Sequence, residues 1–529
     1  MRPYRYARFE FAMHNLDQTR GQSRSLDDRG SSGIVRTVIA WLYDNPRAGF
    51  AIFLAVHAIV WTAMPSALYP NLPLDIIEAL TYGREWQLGY DKLPPMPWWI
   101  IEATRLVFNS DVAYYAVSQI TVVGSFALVW LTALPLVGPI GALVAVLIID
   151  GIHYVNFSAA KFNHDVIQLP FWAFAGWAFH RALTRGRLVY WIALGTAFGV
   201  ALWAKYFVVM LAIPMAIFML ADHRARGYLK TPGPYLAVLC ALVFMSPHLV
   251  WLVDNDFLPY TYASQRAIKA TQWFHYFYHP ALFMLSQAFF MIPGLAIAAA
   301  LVWPRTGPKT AHNARAFDRR IVDLLTFGPL LTLILASVLT GRGLIAMWGY
   351  PLWMFFGLWA VLRSRKAIDI DRFGLAMVLW TISSICIAGA FVINYTIMPA
   401  FDQRYRAVFF PGETFAREVA DRFRAETGTP LAYVISTMWL GGNVAHYATE
   451  RPRVLIDGNP RRAPWIDLDD LHRKGAVVLW TDLDTKMVPP AFGPIAAEAE
   501  VQAPLTMRFQ RGDSHRSFVV GWAILRSRP

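Results

Sequence analysis

A chain of 529 residues that is 56% hydrophobic, 15% aromatic and only 16% charged is too apolar for a water-soluble globule of ordinary composition. Its formal net charge of +13 gives no support to a nucleic-acid partner, because the basic residues fall in short clusters between apolar segments and not along one face. Cys240 and Cys386 sit inside apolar runs away from any ligand-spaced partner, so neither a disulfide framework nor a zinc site is implied.

In chain order, residues 1–40 carry Arg2, Arg5, Arg8, Arg20, Arg24, Arg29 and Arg36 with no apolar h-region. They read as a disordered basic tail and not as a cleaved secretory signal. About eleven segments long enough to cross a bilayer follow, near 48–65, 113–136, 139–157, 166–183, 188–204, 206–221, 235–253, 280–303, 322–340, 345–362 and 374–396. They delimit a membrane domain over 41–400. Lys and Arg gather in the loops at Arg185 and Arg187, Arg224 to Lys230, Arg305 to Arg320, and Arg363 to Arg372, which with the tail makes those loops cytoplasmic. The opposite face then holds a first long loop over 66–111, the Lys161–Asp165 turn, Lys205, the 254–279 loop, the Gly341-Arg342-Gly343 turn and everything after residue 397. From 401 to 529 the composition is that of a soluble domain, with a helix over Phe415–Glu426 and strands over Leu431–Ile435, Arg453–Ile456, Ala476–Trp480 and Phe518–Leu525. The expected fold is an α-helical polytopic membrane protein with a C-terminal α/β domain on the outer face.

Charges at a membrane surface mark candidate chemistry. In the first long loop, Asp75 and Glu78 are spaced i, i+3, which on a helix puts both on one face. Apolar Leu74, Ile77, Leu80, Tyr82 and Trp86 between them suit a helix lying in the interface, and solvated acids on such a helix are the plainer alternative. Further along, Tyr90-Asp91-Lys92-Leu93-Pro94-Pro95 presents a lysine on a backbone stiffened by two prolines, either to a phosphate or as a snorkelling anchor beside Trp98 and Trp99. Lys161-Phe162-Asn163-His164-Asp165 brings a second acid to the same face, where Asn163 or Asp165 can also cap the next helix. Lys205, Arg266 and Lys269, the last two among Tyr260, Tyr262, Trp273, Tyr276 and Tyr278, are cations able to hold a phosphate while the rings stack on a sugar. Arg342 between two glycines is similar. His57, His153, His180 and His248 fit core positions, and phosphate loops, Gly-x-Ser-x-Gly and His-Glu-x-x-His are absent from the sequence.

The run Leu74-Asp75-x-x-Glu78, Gly83-Arg84-Glu85-Trp86-Gln87-Leu88-Gly89-Tyr90-x-Lys92-x-Pro94-Pro95, with Lys161-Phe-Asn163 leading to Gln168-Leu-Pro170-Phe-Trp172, resembles the membrane-embedded GT-C glycosyltransferases. The likeness is to the lipopolysaccharide and lipid A galacturonosyltransferase branch, related to the aminoarabinose transferase of lipid A and to protein O-mannosyltransferases. It implies a multi-pass protein of the bacterial inner membrane, with its C-terminal domain in the periplasm. The implied donor is a sugar on a polyprenyl phosphate, transferred with inversion to a periplasmic-face acceptor such as lipopolysaccharide, lipid A or another envelope glycolipid. By that resemblance Asp75 is the catalytic base, Asp165 the second acid and Glu78 their support. Lys92 holds the donor phosphate with Lys205, Arg266, Lys269 and Tyr90, while Arg84, Asn163, His164 and Arg342 face sugar or acceptor. Asp91 and Leu93 depart from the family pattern, which bears on donor identity more than on reaction type. No cofactor is required, although a divalent ion beside Asp75 is compatible with the acids. The rival functions are a flippase of lipid-linked sugar, for which no inverted repeat is visible, protein O-glycosylation, and an inactive scaffold.

Overall fold

The structure, a computed structural model, describes residues 32–266, 268–303, 314–402, 404–481, 484–511 and 517–528. Most of the expected basic tail, and Arg305 and Lys309 of the expected cytoplasmic loops, lie outside the described residues. Residues 32–40 do not continue a disordered tail, because they open helix α1 (Ser32–Asp44). The membrane domain continues through α2 (Pro46–Leu68), α3 (Leu74–Gly83), α4 (Met96–Phe108), α5 (Asp111–Asp150), α6 (His164–Arg185), α7 (Leu188–Ala204), α8 (Val209–Ala221), α9 (Gly233–Asp254), α10 (Leu258–Arg266), α11 (His275–Ala299), α12 (Ala316–Thr340), α13 (Phe356–Arg363) and α14 (Ile370–Thr396). Each of the eleven expected segments contains helix. Six helices among the described residues are long and apolar enough to span a bilayer unaided, or seven if the bent pair 206–221 and 223–230 is one span.

The others are short or irregular for local reasons. The 40-residue α5 is two helices joined at Gly138, whose φ of 72° and ψ of 175° between Pro135 and Pro139 suit glycine alone. Beyond that break Ala142 to Asp150 is buried throughout, as expected of a helix apolar on every side. It forms the centre of the bundle, against α2, α6 and α13. Helix α7 packs along α9 through Gly195 and Gly199, where a Cβ would collide with backbone of Ala237 and with Phe244. This is a small-xxx-small crossing of the kind membrane helices use for close approach.

The segment expected to be a helix over 345–362 is not one. A 3₁₀ turn at Ala346–Gly349 and a run of turns precede the eight residues of α13. Such backbone persists inside a membrane domain only if its polar groups find partners. Gln287 of α11 and Tyr154 both donate to the Ala346 carbonyl, and Trp353 Nε1 donates to Gln287 Oε1 at 3.1 Å.

After residue 401 comes a sheet domain with strands β1 (Tyr433–Ser436), β2 (Arg453–Ile456), β3 (Ala476–Trp480), β4 (Glu500–Val501), β5 (Leu505–Arg508) and β6 (Ser517–Leu525). The order is β2-β1-β3-β6-β4 with β5 also on β6; β1, β2 and β3 run parallel and β6 antiparallel. Helix α15 (Gly412–Thr427) buries Phe415, Val419 and Phe423 against one face together with α16 (Met438–Tyr447). Helix α3 differs from the surface helix suggested by its composition. It is sandwiched between α4 and α16, and Ile76 through Gly83 are buried in a cluster that includes Trp98, Ile101, Val454 and Ile456. The sheet domain therefore sits directly on the first long loop.

Candidate active site

Three carboxylates meet three lysines at the end of the bundle that carries the sheet domain. Asp75 lies in the first turn of α3, where the positive end of the helix favours a carboxylate. Its Oδ2 accepts from Lys161 Nζ at 2.8 Å and from Asn163 Nδ2 at 3.2 Å. One turn on, Glu78 Oε1 accepts from Lys92 Nζ at 2.5 Å. At the start of α6, Asp165 Oδ1 accepts from Lys205 Nζ at 2.5 Å and from Gln168 Nε2 at 3.2 Å. The ring of Tyr262, on α10, lies 5.6 Å from Lys92 Nζ. Loops from four places in the chain thus converge as the charge pattern predicted.

Asn163 does two jobs. Its Oδ1 caps α6 by accepting from the Asp165 and Val166 amides at 2.9 and 3.1 Å, and its amide nitrogen orients Asp75. Because Lys161 and Asn163 both use Oδ2, Asp75 Oδ1 has no hydrogen-bond partner among the described residues, and the side chain is 26% exposed. His164 stands behind the site, with Nε2 3.0 Å from the Pro94 carbonyl, so it ties the Lys92 loop to α6 and does not face outward.

Burial works to raise the pKa of Asp75, but the Lys161 ammonium, the Asn163 amide and Lys92 outweigh it and hold the carboxyl below its ordinary value. Glu78 goes the other way: burial raises it, and Lys92 offsets only part of that effect. The Lys161 ammonium is held above its ordinary value, chiefly by Asp75. Asp75 is therefore the readily ionised member of the pair.

Several expected site residues lie elsewhere. Tyr90 is 1% exposed inside a ring cluster with Tyr82, Trp98 and Trp465, its hydroxyl donating to the Tyr82 carbonyl at 2.8 Å. Arg84 donates to the Arg451 and Pro452 carbonyls at 2.8 and 3.0 Å, so it ties the first long loop to the sheet domain. Lys269 and Arg342 face each other across an antiparallel bridge, and Arg342 donates to the Ser264 carbonyl at 3.3 Å, which steadies α10. The Arg266 side chain lies outside the described residues. Lys161 is the site residue that sequence reasoning passed over; its position two residues before Asn163 was the available signal.

Each acid already has a lysine partner, and no group of three or more His, Cys, Asp or Glu among the described residues is placed to hold a metal.

Residues 92–251 match the model of the dolichyl-phosphate-mannose-protein mannosyltransferase family. The structure superimposes on ArnT from Cupriavidus metallidurans, bound to undecaprenyl phosphate, with a TM-score of 0.59 and 12% identity over 91% of this chain and 99% of that one. The chain shares its fold with ArnT. It matches the apo state of the same ArnT equally, with a TM-score of 0.58, 13% identity and the same coverage. Its similarity to the Archaeoglobus fulgidus oligosaccharyltransferase is lower, with a TM-score of 0.40 and 11% identity over 82% of this chain and 68% of that one. No curated protein sequence matches it.

Proposed function

We propose that this protein is a GT-C glycosyltransferase that moves a sugar from a polyprenyl-phosphate donor to an envelope glycolipid, of the lipopolysaccharide or lipid A kind, at the periplasmic face of the inner membrane. The observation that carries the reading is Asp75: an ionised carboxylate held through one oxygen by Lys161 and Asn163, with the other oxygen open. That oxygen accepts the proton of the acceptor hydroxyl as it attacks the anomeric carbon from the face opposite the departing lipid phosphate, so the anomeric configuration inverts. Lys92, within reach of Tyr262, and Lys205 supply positive charge to the leaving phosphate. Each does so by exchanging a carboxylate partner for a phosphate oxygen, so Glu78 and Asp165 hold the lysines in place between turnovers.

An apolar groove of about 920 Å³ along α11, lined by Phe283, Phe289, Phe290 and Leu295 and ending at Leu344 and Ala346, offers the isoprenoid tail a path. Ala346 is bonded to Tyr154 and Gln287, so the groove ends on the polar network beneath the site. The concentration of Lys and Arg in the loops away from the sheet domain supports a cytoplasmic N-terminus. The resemblance of the 71–99 and 161–172 motifs supports the acceptor class.

The test is transfer by purified protein in proteoliposomes supplied with polyprenyl-phosphate sugar and lipid A. Product formation by the wild type that disappears in Asp75→Asn is the expected result. Retention of transfer in Asp75→Asn removes the assignment of the base, and movement of donor across the bilayer without product removes the transferase reading of this substrate. Mass spectrometry of envelope glycolipids from a deletion strain identifies the sugar by the mass that is lost.

A further inference from the structure

A second charged constellation lies at the other end of the bundle, and nothing in the transfer chemistry uses it. Helix α6 begins at the candidate site with Asp165 and passes Arg181 one turn before its end at Arg185; at 1.5 Å per residue Asp165 and Arg181 are about 24 Å apart, close to the thickness of a bilayer core. There a cavity of about 280 Å³ is lined by Arg181, Arg185, Arg224 and Arg315, with His180 and Asp318 at its base and Pro135 and Leu136 at its apolar side. The four guanidiniums come from three separate parts of the chain. None forms an ion pair with a carboxylate among the described residues; Arg224 stacks over the Phe317 ring at 4.4 Å and Arg181 lies 6.0 Å from that of Trp177.

The acids nearby are already engaged. Asp318 takes His180 Nε2 at 2.8 Å and the Arg315 amide at 2.8 Å. Asp222 takes Arg320 at 3.0 Å and the Arg224 and Ala225 amides. What remains facing the cavity is an excess of fork-shaped donors, the arrangement that suits the several oxygens of a phosphate. The adjoining Pro135 and Leu136 give an attached apolar chain somewhere to lie.

We propose that this pocket binds a phosphate group, supplied by an anionic membrane lipid of the leaflet opposite the transfer site. Basic pockets between membrane helices are the usual receptors for such head groups. The lipid holds α6, the turn before α9 and the start of α12 together at that face, while the reaction proceeds at the far end of α6.

The test uses full-length protein in neutral phosphatidylcholine nanodiscs, titrated in separate arms with dioctanoyl phosphatidylglycerol and with inorganic phosphate, and read by native mass spectrometry and by thermal shift. The paired variant Arg181→Gln with Arg315→Gln is compared with the wild type. Arg185→Glu, at an exposed position, serves as a second variant that leaves the packing untouched. Lipid affinity that falls roughly tenfold or more in both variants, while Asp75→Asn binds as the wild type does, establishes the site and its lipid source. Phosphate binding without lipid binding, lost in the same variants, establishes the phosphate site with a soluble source. Binding of neither probe, or equal binding by wild type and both variants, overturns the proposal. Neither result depends on sugar transfer, so failure of the transfer assay leaves this test intact.

Discussion

Asp75 and Lys161 form a pair whose chemistry is set by two opposing effects, and substitution separates them. Asp75→Asn retains shape and the Lys161 partner but removes the proton acceptor; transfer is expected to fall by about 10²- to 10⁴-fold with donor affinity little changed. Lys161→Met removes the first of the groups holding Asp75 low. Burial then dominates, and the acid limb of the transfer rate is expected to move to higher pH by about one pH unit or more, read from initial rates across a pH series. The sign for stability agrees. The folded pKa of Asp75 is depressed, so the stabilisation it brings is present above the unfolded value and is lost as the pH falls through the folded one. Glu78, raised by burial, works the other way, and its ionised form depends on Lys92. An unchanged acid limb in Lys161→Met would remove Asp75 as the titrating base.

Among the elements, Gly138 and the irregular stretch before α13 carry the largest structural consequences. A side chain at Gly138 meets a backbone conformation nearly reserved for glycine, so Gly138→Ala is expected to cost about 1–3 kcal/mol in denaturant unfolding although nothing crowds the position. Gln287→Leu is expected to cost a similar amount, about 1–3 kcal/mol, because Ala346 and Trp353 lose a buried partner. How far these elements can be read from sequence follows from the same physics. Apolar runs announce helices, and Phe415–Glu426 and the four named strands were legible because their periodicity is strong and their ends are marked by turn residues. The irregular backbone at 346–355 was not legible, since an apolar run bounded by charge looks like a span whether or not distant Gln287 and Tyr154 are there to satisfy its carbonyls. The site was legible as far as charge on one face could carry it: Asp75, Glu78, Lys92, Asp165 and Lys205 converge. The partners of Tyr90 and Arg84 were not legible, because Trp465 and the Arg451 and Pro452 carbonyls come from a domain more than 350 residues further along the sequence.

On the scale of the whole molecule, the sheet domain is part of the architecture of the site. Arg453 pairs with Glu85 at 2.9 Å, Arg462 with Asp91 at 2.7 Å, and Asn71 donates to Asn443 at 3.2 Å. Asp91 is the residue next to Lys92, so the domain sets where that lysine stands. Arg462→Ala is therefore expected to raise the KM for donor several-fold with a smaller effect on kcat, in transfer kinetics at varied donor concentration, because it loosens the Lys92 loop and leaves Asp75 alone. An equal fall in kcat with an unchanged KM would place the domain's influence on the chemical step instead. The three acids of the site are each matched by one lysine, so their formal charges cancel, −3 against +3. On the proposed function, a site whose charges cancel pairwise exerts little long-range pull on an anionic donor through water, so capture is expected to begin in the plane of the membrane, with the lipid arriving sideways by diffusion and its phosphate recognised on contact. Donor capture by such a site is expected to be nearly indifferent to salt, read from transfer rates across an ionic-strength series, and to follow how crowded and how fluid the surrounding leaflet is.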